Sequence, residues 1–144
     1  MKIQIKILRS NAILPTYGTE FAAGADLYAC LDTSVTIVPH ETVMIPTGVA
    51  VAIPVGLAGF IHARSGLAAK RGLAPANKVG VVDSDYRGEV MVALHNHGTQ
   101  PQEITHGERV AQMVIAPYIA AIFEESEELP DTVRGEGGFG STGV

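Results

Sequence analysis

Tryptophan is absent and all aromatic residues together make up only 6% of the 144 residues, so any ring near polar functional groups is a scarce feature. Cysteine occurs once, at Cys30. That excludes a disulfide framework and a cysteine-built zinc site, and it fits a reducing compartment. No lysine or arginine run exists, and ten basic against fifteen acidic side chains leave a net charge of −5. A duplex-binding protein normally presents a basic face, so no nucleic-acid partner is expected. Long apolar runs are missing too. The longest apolar region, residues 110–123, is broken by Gln112 and Pro117 and is too short to cross a bilayer. The first residues alternate polar and apolar and lack the apolar block of a signal peptide. The expectation is a soluble, cytoplasmic protein with no membrane partner.

What remains is glycine, proline and short apolar stretches. Apolar residues reach 47% and charged ones 17%, with sixteen glycines and eight prolines. This composition is globular and turn-rich. Strand-like runs fall at residues 2–8, 25–28, 35–37, 42–45, 49–53, 57–62, 78–82, 89–97, 102–105, 109–117 and 119–123. Turn chemistry separates them, as at Pro46-Thr47-Gly48 and Pro54-Val55-Gly56. Closely spaced strands without alternating helices predict an all-β sandwich or barrel-like fold. One segment departs from this: Ser65-Gly66-Leu67-Ala68-Ala69-Lys70-Arg71-Gly72 reads as a helix of about two turns, with Ser65 as N-cap and Gly72 closing it. Arg64 and the free N–H groups of that helix start form a candidate anion site. The chain divides into a β domain (1–123), an acidic linker (124–133) and a glycine-rich end (134–144).

Asp83-Ser84-Asp85-Tyr86-Arg87-Gly88 is chemically dense for a turn between two apolar runs. A hairpin tip needs only polar residues and a glycine. This one adds a possible general base (Asp83 or Asp85), a flat phenol and a cation, and rigidly held turns are where such groups act. The end segment is equally pointed. Five of the ten residues 134–143 are glycine, yet Arg134, Phe139, Ser141 and Thr142 stand among them. Glycines let backbone N–H groups approach phosphate oxygens, and Phe139 offers a stacking face. The segment reads as a lid over a phosphorylated, planar ligand. The ten-residue linker reaches about 33–36 Å when extended, far enough to close over a neighbouring subunit.

Five stretches taken in order resemble the five motifs of the homotrimeric dUTP pyrophosphatases (dUTPases). They are Ala23-Gly24-Ala25-Asp26-Leu27-Tyr28-Ala29, Ala63-Arg64-Ser65-Gly66-Leu67-Ala68, residues 77–89, Gly107-Glu108-Arg109-Val110-Ala111-Gln112-Met113, and the glycine-rich tail. Ala63 stands where many members carry proline. The resemblance implies a distorted jelly-roll, β-barrel-like subunit with one short helix and a flexible C-terminal tail. It also implies a homotrimer whose active sites are shared by all three chains. The implied reaction is hydrolysis of dUTP to dUMP and pyrophosphate with Mg²⁺, which lowers dUTP and supplies dUMP for thymidylate synthesis. Asp83 matches the base that activates water against the α-phosphorus. Tyr86 matches the wall beneath the deoxyribose. Asn77, Gly80, Val81, Val82, Asp83 and Met91 match the uracil pocket, and Arg64, Ser65, Gly66 and Gln112 match phosphate contacts. Arg134, Phe139, Ser141 and Thr142 match the lid, and Asp26 matches the carboxylate that holds Mg²⁺ through water.

Other groups read as structural. His95 and His97 lie two apart on one strand face, with no third metal ligand at suitable spacing. Arg109 is read as an internal ion-pair partner, Asp85 as a turn-former, and Arg87 and Lys78 as solvated. Ser65 lacks the Gly-x-Ser-x-Gly elbow of a hydrolase nucleophile. Two alternatives stay open at the level of sequence: a dCTP deaminase of the same fold, and a non-enzymatic nucleotide-binding β trimer.

Overall fold

The computed structural model describes residues 1–138. Its elements are β1 (Gln4–Ile7), β2 (Thr16–Tyr17), β3 (Ala25–Tyr28), β4 (Val35–Ile37), β5 (Thr42–Pro46), β6 (Val49–Ala52) and β7 (Leu57–His62). A single helix, α1 (Ser65–Arg71), precedes β8 (Leu73–Pro75), β9 (Gly80–Val82), β10 (Met91–Asn96), β11 (Gln102–Ile104) and β12 (Arg109–Pro117). The all-β expectation holds. Every ladder is antiparallel, and the strands group as β1-β6, β5-β10-β8, β11-β4 and β2-β3-β12-β7-β9. No ladder closes a sheet on itself among the described residues. No helix of the described residues is long and apolar enough to cross a membrane.

Burial follows the two-residue period of a strand. In β10, Val92, Leu94 and Asn96 point inward while Met91, Ala93 and His95 are only partly covered. Leu27, Ile37, Ile45, Leu73, Leu94 and Ile104 are the largest fully buried apolar side chains, and they join strands of all the sheets except β1-β6. Val49 and Val51 bring that pair into the core. The buried amide of Asn96 is satisfied by the carbonyls of Ile37 (2.9 Å) and Gln100 (2.8 Å), so this polar group ties β10 to β4 without an unpaired donor.

The five-stranded sheet positions the chemistry. β12 lies at its centre, so Gln112 faces Asp26 on β3 and His62 on β7. The β12–β3 register shifts between Arg109 and Ala111, and the consecutive residues Val110 and Ala111 are both fully buried. A bulge of this kind re-aims the residues beside it. Just beyond β7 the chain enters α1.

Four sequence expectations need correction. Ser65 is not the N-cap: Arg64 is, with an extended backbone (φ −89°, ψ 123°), and its carbonyl accepts the Ala68 N–H at 3.0 Å. The arginine side chain is a donor and cannot cap free N–H groups, so it turns elsewhere. The strand expected at 119–123 does not form, because nothing pairs with it and Ile119, Ile122 and Phe123 are at least 90% exposed. The turn at 83–88 is not the tip of a paired hairpin: β9 pairs with β7, whereas β10 pairs with β5 and β8. The segment instead carries the chain from one sheet to another. Finally, His97, expected on one strand face with His95, lies beyond the end of β10. Arg87 is exposed, as expected, and also braces the 83–88 turn by donating to the carbonyls of Ser84 (2.7 Å) and Tyr86 (2.8 Å).

Candidate active site

Asn77 and its surroundings begin the cleft. Lys78 takes a positive φ of 64° at the centre of a three-residue turn, closed by the Val79 N–H to the Asn77 carbonyl at 2.7 Å. Lys78 itself is exposed, as expected. The chain then enters β9 at Gly80, where a Cβ would sit 3.2 Å from Asn77 Nδ2 and from Ile61 Cβ. Glycine therefore leaves the room in which the Asn77 amide lies. Asn77, Gly80, Val81, Val82, Asp83, Tyr86 and Met91 all line one cleft of about 300 Å³. The seven residues expected to hold a pyrimidine nucleoside are thus brought together. Met44, Ile61 and Glu89 also line it, and sequence reasoning missed them. β5 and β10 pair only in space, so Met44 carries no local signal.

Asp83 is exposed and makes no ion pair among the described residues. Its carbonyl accepts the Tyr86 N–H at 3.2 Å, which closes the turn beneath the carboxylate. The Tyr86 phenol donates to the Glu89 carbonyl at 3.0 Å. Its ring lies over Gly88, where a Cβ would come within 2.6 Å of Tyr86 Cζ. A glycine at 88 is therefore what permits this ring position.

A second group sits at the end of β7. Asp26 is 8% exposed, and its carboxylate accepts from Arg64 Nε at 2.7 Å and pairs with Arg109 NH1 at 3.3 Å. A nearly buried carboxylate needs such partners. Gln112 Nε2 donates to the Ala63 carbonyl at 2.9 Å, holding the residue ahead of Arg64. Gly24 makes space for this amide, since a Cβ there would lie 2.5 Å from Gln112 Oε1. Ser65 and Gly66 open α1 and are exposed. The far end of α1 is fixed as well, because Arg71 donates to Gln102 Oε1 (2.9 Å) and Glu108 Oε2 (2.8 Å). Glu108 and Arg109, adjacent in sequence, thus reach the two ends of α1, one directly and one through Asp26.

These two groups do not meet within one chain. The cleft lining includes none of Arg64, Ser65, Gly66 and Gln112. Arg134 also lies apart, folded on its own turn with Nε donating to the Gly137 carbonyl at 2.7 Å. Phe139, Ser141 and Thr142 fall outside the described residues. As a metal site, Asp26 is a single carboxylate already shared by two guanidiniums. No group of three or more His, Cys, Asp and Glu that could hold a metal ion occurs among the described residues. The donors fit only an outer-sphere role toward a metal carried by a polyphosphate.

Two titrations are displaced elsewhere. Burial pushes the Cys30 thiol up, against the lowering effect of Arg9, and its Sγ donates to Asn11 Oδ1 at 3.1 Å, so it is a protonated packing group rather than a nucleophile. His97 is held below the usual histidine value by partial desolvation and by its neighbours His95, Lys78 and His40. Its ring lies 4.4 Å from that of His95, which is hydrogen-bonded to Thr42 at 2.8 Å.

Known proteins resemble this chain in sequence and fold along nearly its whole length. The dUTPase family model matches residues 10–143. A deoxyuridine 5'-triphosphate nucleotidohydrolase of Desulfitobacterium hafniense is 50% identical, covering 100% of this chain and 97% of that protein. One from Wolbachia pipientis is 49% identical, covering 99% and 96%. Among solved structures, a Staphylococcus bacteriophage 80alpha dUTPase with dUPNHPP superposes with a TM-score of 0.91 at 30% identity, covering 99% of each chain. A mutant dUTPase from phage phi11 of S. aureus, in which a structural Mg(II) ion is coordinated, gives 0.80 at 25% identity, covering 89% of this chain and 98% of that one. The family match across residues 10–143, the half-identical relatives over the full chain and the shared β fold together show that the chain belongs to the dUTPase family.

Proposed function

We propose that this protein hydrolyses dUTP to dUMP and pyrophosphate. The observation that carries the reading is the cleft of about 300 Å³ in which Asn77, the β9 backbone, Tyr86 and Met91 converge beside an exposed Asp83. Uracil presents acceptor, donor and acceptor along its pairing edge. An extended strand with one amide complements that pattern, while cytosine leaves buried groups unpaired at a cost of about 1–3 kcal/mol. Thymine adds only a methyl, which the walls of the cleft must exclude by shape. Tyr86 forms the wall under the sugar.

Asp83 acts as general base. It takes a proton from a water molecule as the water oxygen bonds to the α-phosphorus, and the bond from that phosphorus to the bridging oxygen of pyrophosphate breaks. Arg64, the Ser65 hydroxyl, the N–H groups at Ser65 and Gly66, and Gln112 bind the phosphate chain, whose negative charge must be balanced. Arg64 reaches phosphate by exchanging its bond to Asp26. Asp26, still paired with Arg109, would hold the water shell of Mg²⁺, which when bound would supply charge neutralisation on the phosphate chain. Arg134, Phe139, Ser141 and Thr142 close over the nucleotide as a lid.

The separation of the two residue groups in one chain supports a homotrimer with sites shared between subunits. A cytoplasmic location agrees with the single reduced cysteine. Pyrophosphate release from dUTP in the presence of Mg²⁺ tests the activity. Ammonia release from dCTP without pyrophosphate release from dUTP would replace it with a deaminase, and binding without turnover of either would leave a nucleotide-binding protein.

A further inference from the structure

Thr47 is 1% exposed, and its hydroxyl has no place in the chemistry above. It donates to the Val90 carbonyl at 2.6 Å in the interior. On either side of it the same two segments are joined again. The Gly48 N–H donates to Glu89 Oε1 at 2.8 Å, and the Val90 N–H donates to the Val49 carbonyl at 2.8 Å. Arg9 adds an ion pair to Glu89 at 3.6 Å. Gly48 sits closely against its neighbours, with a positive φ of 72° and room for no side chain, since a Cβ there would meet Ala12 and Cys30 within 2.7 Å. Thr47 to Val49 is thus a fixed block in the core, and Glu89 and Val90 are bonded onto it. The Glu89 carbonyl is also the acceptor of the Tyr86 phenol.

We propose that Thr47 and Glu89 are positioning residues for Tyr86, and that they set discrimination between 2'-deoxyribose and ribose by holding its ring in place. This rests on the reading of Tyr86 as the sugar wall. The chain of bonds runs from the buried Thr47 hydroxyl through Val90 and the Glu89 backbone to the phenol. Loss of an anchor lets the 86–90 segment move outward, the ring follows its acceptor, and room opens for a 2'-hydroxyl. A displacement of about 1 Å at such a wall is enough to change turnover of a competing substrate by ten- to hundredfold.

The test compares kcat/KM for dUTP with that for UTP. Thr47→Val keeps the shape and deletes the donor, and it is expected to lower the dUTP-to-UTP ratio about ten- to hundredfold, mainly by raising UTP turnover. Thr47→Ser restores the donor and should restore the ratio. Glu89→Ala, at a partly exposed position, should lower the ratio like Thr47→Val and serves if the buried variant does not fold. Tyr86→Ala is run alongside. If it relaxes the ratio while folded Thr47→Val or Glu89→Ala keeps the wild-type value, the anchor is overturned and the wall stands. If Tyr86→Ala itself leaves the ratio unchanged, the sugar reading fails and the anchor with it.

Discussion

Asp83 is exposed just past the end of β9 with its backbone fixed by the turn to Tyr86, and a carboxylate so placed can accept a hydrogen bond from a water. Asp83→Asn keeps the volume and the hydrogen-bonding reach but removes the basicity. It is expected to bind dUPNHPP as tightly as the wild type while turnover falls about 10²–10⁴-fold, the share of a positioned base. Titration with the analogue, paired with a pyrophosphate assay, checks both halves, and a variant of undiminished rate would move the base elsewhere. At this scale the sequence was readable where local chemistry is dense. The acid, ring and glycine of 83–88 announced themselves. The environment of Asp26 did not, because Arg64 and Arg109 lie 38 and 83 positions away from it, and only the ladders of β12 with β3 and with β7 bring them within reach.

Strands and the helix were legible to the extent that each carries its own period and punctuation. Those at 25–28, 35–37, 57–62 and 109–117 were expected with the bounds they have. β2 and β8 went unnoticed because two or three residues show no alternation, and β8 ends in a proline. Pairing partners were less legible still: the nearness of β9 and β10 in sequence pointed to a hairpin, whereas the core separates them into different sheets. β10 carries His95, and His97 follows just beyond its end; the consequence of this pair is a pH response. His97 binds its proton less readily in the folded chain than a free histidine does, for the desolvation and cationic neighbours named above. Protonation therefore favours the unfolded chain, so the stability contribution is present above the ordinary value of 6.5 and is lost as pH falls through the depressed folded value. Thermal melts from neutral pH downward should show a drop that is smaller in His97→Gln, and because the ring is exposed the difference will be modest. The acidic linker and glycine-rich end are proposed to work as a separate element. Removing residues 134–144 deletes Arg134, Phe139, Ser141 and Thr142, the proposed lid, and no buried core residue among the described ones. The truncated protein is expected to keep its fold by circular dichroism and to lose most of its dUTP turnover, and an unchanged rate would rule out the lid.

On the scale of the whole molecule, one chain holds two partial sites, a nucleoside cleft with a base and a separate arginine-bearing helix start. It also leaves Phe21, Ile119, Ile122 and Phe123 at least 90% exposed. Both features are accounted for at once if subunits associate so that the cleft of one meets the Arg64 region of another. Closed rotational symmetry then repeats the same composite site at each junction. The distinguishing experiment mixes two inactive variants, Asp83→Asn and Arg64→Ala, after reversible unfolding together. If Asp83 and Arg64 of a site come from different chains, random reassembly at equal amounts pairs an intact Asp83 with an intact Arg64 in about one quarter of sites, and activity returns to that fraction of wild type. If both residues of a site come from the same chain, every site in every mixture keeps one defect and no activity returns. Solution mass measured on the refolded mixture confirms that subunits have reassembled, so a silent mixture of correct mass would count against sites shared between chains.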